Sequence, residues 1–171
     1  MNTVVRSFFS SLIPGVLMLG LVCLPAMAVE LERRGDAYVV SLSSDLDFED
    51  VVAQVHSEVI GENWSVVHVQ DIGASMAGYG KQLDNRVISV CKSQYLAQAI
   101  EEDPFVSLII PCRFTVFREP TEDGSLGRIV VGFFDPSAEA KAIELKQAQA
   151  ADVATNELKA ILIRVAEAFK E

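Results

Sequence analysis

The chain has 171 residues and a formal net charge of −10 at pH 7. This length fits a single domain whose core is large enough to fold without disulfides or metals. Half of the residues are hydrophobic, which excludes intrinsic disorder, and the acidic balance without a basic stripe excludes nucleic acid as a partner.

The first 28 residues have the pattern of an export signal. Arg6 gives a positive start, residues 12–24 form an apolar run, and Ala26-Met27-Ala28 supplies the small residues of a cleavage site. The run is too short for a stable transmembrane span of about 20 residues. We expect cleavage after Ala28, release into the periplasm or medium, and no embedding in the membrane afterwards. The alternative is that the segment is retained as an anchor.

Residues 29–36 form a charged lead-in, and we place a single domain at residues 37–171. The alternation from Ala37 to Ser43 predicts a first strand. Asp47 is a typical N-cap residue, and the apolar residues after it recur at helical spacing. We expect Gly61 to end this helix in a left-handed conformation. The apolar stripe consists of Phe48, Val51, Val52, Val55 and Val59.

The middle of the chain predicts two more strands, at Trp64–Ile72 and Arg86–Cys91. Gly73–Gly80 between them is a connection rich in small residues, either a short helix or a loop, and it lacks the lysine spacing of a phosphate loop. Ser93 is expected to cap a helix over residues 94–102, which Asp103-Pro104 ends, because the residue before proline avoids the helical conformation.

Arg113–Glu119 and Arg128–Phe134 are predicted to form a hairpin around the turn-rich Pro120–Gly127. Asp135-Pro136 then opens a helical region that continues to the C terminus. The order β-α-β-(loop)-β-α-β-β-α predicts an α+β fold, a two-layer sandwich with a mainly antiparallel sheet and helices on one face.

Both faces of the last two strands carry apolar residues. Phe114 and Val116 alternate with Phe117, and Val131 alternates with Val130. Because helices on one side cover only one face of a sheet, the other face needs a cover of its own. The candidates are the C-terminal helix, an apolar ligand, or a second copy in a homodimer.

Cys91 and Cys112 are the main candidate functional residues. An oxidising compartment favours a disulfide between them, and two unpaired buried thiols are the alternative. Lys92 and Arg113 each follow a cysteine, and a nearby cation lowers a thiol pKa. Since adjacent strand residues face opposite ways, each cation is equally compatible with simple solvent contact.

Other chemistries lack the residues that they need. The chain has no CxxC, CxxCH or HExxH motif, and it has only two histidines, His56 and His68. We therefore predict no catalytic residues, no metal site and no cofactor. We add His68 to Lys92 and Arg113 as a candidate neighbour of the two cysteines.

The stretch from Cys91 to Glu119 reads CKSQYLAQAIEEDPFVSLIIPCRFTVFRE. Its CKxxYLA start, its DP step and its IIPCRFTVFRE end resemble the "domain of unknown function 302" family of small α+β proteins. Ser93 stands where many members have proline. The resemblance implies the fold, but it implies neither a set of catalytic residues nor a ligand.

Two hypotheses on function follow. The first is a non-enzymatic periplasmic binding or interaction module, which takes a small apolar ligand or a protein partner. The second is a thiol-redox or metal-handling protein centred on Cys91 and Cys112.

Overall fold

The computed structural model describes residues 29–125, 127–146 and 149–170, so the predicted export signal lies outside the described residues. In this part of the chain six strands form one sheet of order β1-β2-β6-β5-β4-β3, and each neighbouring pair is antiparallel. The strands are β1 (Glu32–Arg34), β2 (Ala37–Leu42), β3 (Ser65–Asp71), β4 (Asn85–Cys91), β5 (Cys112–Arg118) and β6 (Ile129–Phe134).

Helices connect the strands and follow the last one. They are α1 (Phe48–Gly61), α2 (Ile72–Ala77), α3 (Ser93–Glu102), a 3₁₀ helix (Pro104–Leu108), α4 (Pro136–Ala142) and α5 (Gln149–Ala168). Among the described residues, none of these helices has the length and apolarity that a bilayer span requires.

Aspartates set several of the helix boundaries. Asp47 accepts hydrogen bonds from the backbone N–H groups of Glu49 and Asp50, and so caps α1 as predicted. Asp135 caps α4. Asp103 ends α3 and accepts a hydrogen bond from the backbone of Phe105, so one residue before proline both stops a helix and starts the 3₁₀ helix.

The core lies between one face of the sheet and helices α1 and α5. Strand alternation sends Phe114, Val116 and Val131 to this face, where they are fully buried. The helices contribute stripes at three- and four-residue spacing. The fully buried helical residues are Val51, Val55, Val59, Leu158, Ile161, Leu162 and Val165. The predicted α+β class and antiparallel sheet are confirmed.

The charged lead-in contributes to the sheet. Its residues Glu32–Arg34 pair with Ala37–Val39 in a tight hairpin, with Gly35 in the turn at φ +62°. All three residues of β1 are exposed, as suits a short, charged edge strand.

Candidate functional site

The two cysteines lie on neighbouring strands, but they do not face one another. Cys112 is paired with Val90 in the β4–β5 register, and Arg113 with Ser89. Cys91 is the next residue along β4 and pairs with Ser65 on β3, so it is not directly opposite Cys112. Both cysteines are unbonded. Of the two alternatives left open by the sequence, the structure has the unpaired thiols.

The neighbouring cations do not activate either thiol. Burial raises the pKa of Cys112 to about 12, and the negative charge of Glu139 adds to this, while the positive charge of Arg113 opposes it without reversing it. Burial also raises the pKa of Cys91, against a hydrogen bond from the backbone of Lys92. Both groups are therefore neutral thiols at neutral pH, which is the opposite of what nucleophilic or redox chemistry needs.

Lys92 is instead part of a buried polar cluster around Glu157 on α5. The Lys92 Nζ donates to Glu157 Oε2 at 2.8 Å, and the Trp64 Nε1 donates to the same oxygen at 2.7 Å. The Tyr95 hydroxyl donates to Glu157 Oε1 at 2.5 Å. Burial works to raise the pKa of Glu157, but these three donors outweigh it and lower the pKa, so the carboxylate stays charged.

This Glu157 cluster fastens the start of α3 to α5. A second donation from the Lys92 Nζ, to the carbonyl of Glu62 at 3.1 Å, adds the end of α1. Glu157 was not among the site residues predicted from the sequence. It is 65 positions from Lys92 in the chain and has no local motif. A carboxylate beside the apolar stripe of α5 is the only signal that the sequence offers.

A pocket of about 60 Å³ lies beneath α3 and the 3₁₀ helix, and Cys91, Lys92 and Cys112 all border it. Of the predicted neighbourhood, Arg113 and His68 do not border this cavity. Most of its wall is apolar, and it includes Leu96, Val106 and Ala154.

A larger concavity, of about 710 Å³, lies on the sheet face opposite the helices. We call it the sheet trough. Strands β2, β4, β5 and β6 form its floor, and α4 borders one end. The lining of the trough includes Val39, Val87, Thr115, Phe117, Gly132 and Phe134.

Gly132 keeps the floor of the trough flat. A Cβ atom at this position would lie 2.6 Å from Cγ1 of Val39 and 2.8 Å from the carbonyl oxygen of Tyr38. A side chain there would push β2 and β6 apart, so the position needs glycine for close packing and not for its backbone angles.

Arg113 and Glu139 mark the end of the trough nearest α4. Arg113 Nη2 lies 3.9 Å from Glu139 Oε1, and the arginine is about half exposed while the glutamate is mostly buried. Burial raises the pKa of Glu139; Arg113 opposes this and Asp135 adds to it. The pair gives a mostly apolar and otherwise uncharged surface one charge of each sign.

The histidines are not brought to either cavity. His68 pairs with Ser89 next to a bulge in the edge strand β3 and is exposed, and His56 is exposed on α1. Within residues 29–125, 127–146 and 149–170, no three His, Cys, Asp or Glu side chains are grouped so that they could bind one metal ion.

The comparisons with known proteins agree with this fold. The profile of the family described as "Domain of unknown function DUF302" matches residues 40–165. The crystal structure of an uncharacterised conserved DUF302 protein from Bacillus stearothermophilus superposes with a TM-score of 0.63 at 15% sequence identity. The superposition covers 79% of this chain and 98% of the Bacillus chain. No curated protein matches the chain significantly in sequence. At this identity, the solved structure establishes the fold alone.

Proposed function

The chain belongs to the DUF302 family, whose description names no activity, and on that premise we propose that it is a non-catalytic binding module whose binding surface is the sheet trough. The proposal is carried by one observation. The sheet has helices α1 and α5 on one face, while the other face presents half-buried and exposed apolar side chains that no layer formed by residues 29–125, 127–146 and 149–170 covers.

The apolar side chains of this face are contiguous. Phe117 on β5 lies opposite Val130 on β6, and Val39 on β2 lies opposite Gly132 on β6. Phe134, at the end of β6, is 52% exposed. Contiguous apolar surface of this kind on a folded domain is typical of an interaction site.

We propose a second copy of this chain as the partner. The chain carries a net charge of −10, so any two copies repel over most of their surfaces. The sheet trough is the exception, because Arg113 and Glu139 contribute one charge of each sign. A two-fold contact uses the same patch twice, so a single uncovered face satisfies both copies.

We also propose that the module acts outside the cytoplasm. Arg6, the apolar run at residues 12–24 and Ala26-Met27-Ala28 support export with cleavage after Ala28. Intact-mass measurement on the protein recovered from an exporting bacterium tests this. A mass that retains residues 1–28, or one that carries a lipid on Cys23, contradicts cleavage after Ala28.

Sedimentation equilibrium over a range of protein concentrations tests the proposed partner. We expect a reversible dimer, whose dissociation constant falls as salt is raised, because salt screens the repulsion between two acidic copies. Phe134→Glu should shift the equilibrium to monomer by introducing like charges into the contact.

Ile60→Glu is the matched control. Ile60 on α1 is 50% exposed, so the substitution adds the same charge at a similar exposure on the helical side of the molecule. It should leave the dimer intact. A protein that is monomeric at all concentrations, or a dimer that Ile60→Glu disrupts as strongly as Phe134→Glu does, contradicts the proposal.

A further inference from the structure

The pocket beneath α3 is separate from the sheet trough and lies on the other side of the sheet. Its walls come from α3, the 3₁₀ helix, the end of β4, the start of β5 and the first turns of α5. We infer that this pocket is a binding site for the aliphatic chain of a small uncharged molecule.

The packing of α3 indicates that the pocket is a built feature. The helix has an apolar inner side formed by Tyr95, Leu96 and Ala99, yet none of its residues is fully buried. Side chains of this type normally pack directly on the layer below. Here they line a cavity instead, and the Glu157 cluster holds the helix at its distance from α5.

The polar groups at the pocket have partners within the protein. Lys92 and Tyr95 donate to Glu157, and Asp103 accepts hydrogen bonds from the backbone N–H groups of Phe105 and Lys146. Burial keeps Cys112 a neutral thiol, which is only a weak donor. A buried water needs two to four polar partners, so water is poorly held here and an apolar group displaces it at little cost.

The size of the pocket limits the shape of the ligand. One water needs about 10–15 Å³ on this measure, so a volume of about 60 Å³ accepts a slender group of a few heavy atoms. A short aliphatic chain fits this volume. A charged group is disfavoured, because it would be desolvated among satisfied neighbours.

The outer side of the same segment supports an apolar ligand. Ile100 on α3 is 40% exposed, and Phe105 and Leu108 of the 3₁₀ helix are 67% and 70% exposed. Helix α3 and the 3₁₀ helix therefore carry large apolar side chains on their exposed side and cover an apolar pocket with their inner side. This arrangement suits a ligand that arrives from an apolar phase.

Trp64 gives a direct readout, because it is the only tryptophan of the chain and lines the pocket. We would titrate the purified protein with straight-chain 1-alkanols from two to ten carbons and follow tryptophan fluorescence. Saturable binding is expected, with affinity rising about fourfold per added methylene until the pocket is full. Alkanoates and alkylammonium ions of equal length should bind at least about tenfold more weakly.

Two matched variants locate the site. Ala99→Leu fills the pocket from α3 and should weaken alkanol binding by about tenfold or more, while Ala97→Leu makes the same change at an exposed position of α3 and should leave binding within about twofold. Ala151→Leu fills the pocket from α5 and repeats the test if Ala99→Leu does not fold.

Three outcomes overturn the inference. The first is the absence of a saturable change in fluorescence. The second is equal affinity for the charged and uncharged series. The third is binding that survives both filling variants, or that Phe134→Glu removes, since the alkanol then occupies another surface such as the sheet trough.

Discussion

Cys112 lies opposite Val90, and not opposite Cys91, in the pairing of β4 with β5. In this register the two cysteines are not a directly opposed pair, although the chain between them returns to the neighbouring strand. A disulfide needs Cβ atoms about 3.5–4.5 Å apart and directed toward each other. The stability of the domain should therefore not depend on a bond between these two residues.

Cys112→Ser should lower the free energy of unfolding by about 1–3 kcal/mol, because it places a hydroxyl in an apolar wall that offers it no strong partner. The loss should be the same with and without reductant. Urea unfolding under both conditions measures it. A loss that appears only without reductant would show that the cysteines are bonded in solution.

Val116 is fully buried on the core face of β5, as its alternation with Phe117 predicts. Val116→Ala should cost about 1–3 kcal/mol in urea unfolding, because the two lost methyl groups leave a cavity. The control is Val67→Ala in the edge strand β3, where the side chain is 55% exposed and the change should be near zero. Equal effects at the two positions would contradict the assignment of the core face.

The sequence predicts those elements of the fold that leave a local pattern of apolar residues. Alternation and helical spacing are local, so they predict the strands from Ala37 onward and the buried stripe of α1. Strand β1 has no apolar face, because it is a charged edge exposed along its length, and no periodic pattern marks it. The prediction of a lead-in at residues 29–36 accordingly missed a strand.

Helix ends show the limit of local rules. Gly61 was expected to take the left-handed conformation after α1, but it lies within the helix, and Asn63 has φ +57° instead. Asparagine is one of the few residues other than glycine that tolerate this conformation. Ser93 was expected to be a cap, but the helix begins at Ser93 itself and Lys92 precedes it without a side-chain cap.

The candidate sites were only partly predictable. The excess of apolar residues on β5 and β6 indicates an uncovered face, since alternation fixes which residues share a side. The pocket beneath α3 depends on Glu157, Lys92 and Trp64, which long chain separations bring together. Pairings of that kind follow from the tertiary fold and not from any local pattern.

Arg118 is a structural arginine that its sequence context does not reveal. Its side chain is 10% exposed, and its Nε donates to Asp84 Oδ2 at 3.0 Å. Its Nη atoms donate to the backbone carbonyls of Ser44, Leu46 and Gly127. Arg118→Ala should cost about 2–4 kcal/mol, because it leaves these acceptors unpaired. Arg118→Lys should recover only part of the stability that Arg118→Ala loses, since a lysine lacks the planar guanidinium group with its several N–H donors.

Arg128 on the same hairpin is the control for this prediction. It pairs with Glu119 at 2.9 Å but is 61% exposed. Arg128→Ala should cost less than about 1 kcal/mol, as is usual for a solvated ion pair. Thermal or urea unfolding compares the variants, and similar losses at Arg118 and Arg128 would mean that the carbonyl contacts of Arg118 contribute little.

The last prediction concerns the pH dependence that Glu157 gives to the domain. Its pKa in the folded protein lies below the ordinary value of 4.5, because the donors Lys92, Tyr95 and Trp64 outweigh its burial. A carboxyl whose pKa is lowered on folding stabilises the folded state above the unfolded pKa. The contribution is lost as the pH falls through the folded pKa. Glu157→Gln should therefore cost about 1–3 kcal/mol at pH 7 and progressively less below about pH 4.5.

Urea unfolding of the wild type and of Glu157→Gln, measured from pH 7 down to pH 3, tests this directly. Glu122→Gln in the exposed link between β5 and β6 removes the same charge without a comparable set of donors and should leave the pH profile unchanged. A difference between the wild type and Glu157→Gln that stays constant over this range would show that the cluster acts through packing alone. The packing of α3, and not the charge of Glu157, would then maintain the pocket. In that case the affinity of the pocket for alkanols should not change with pH either.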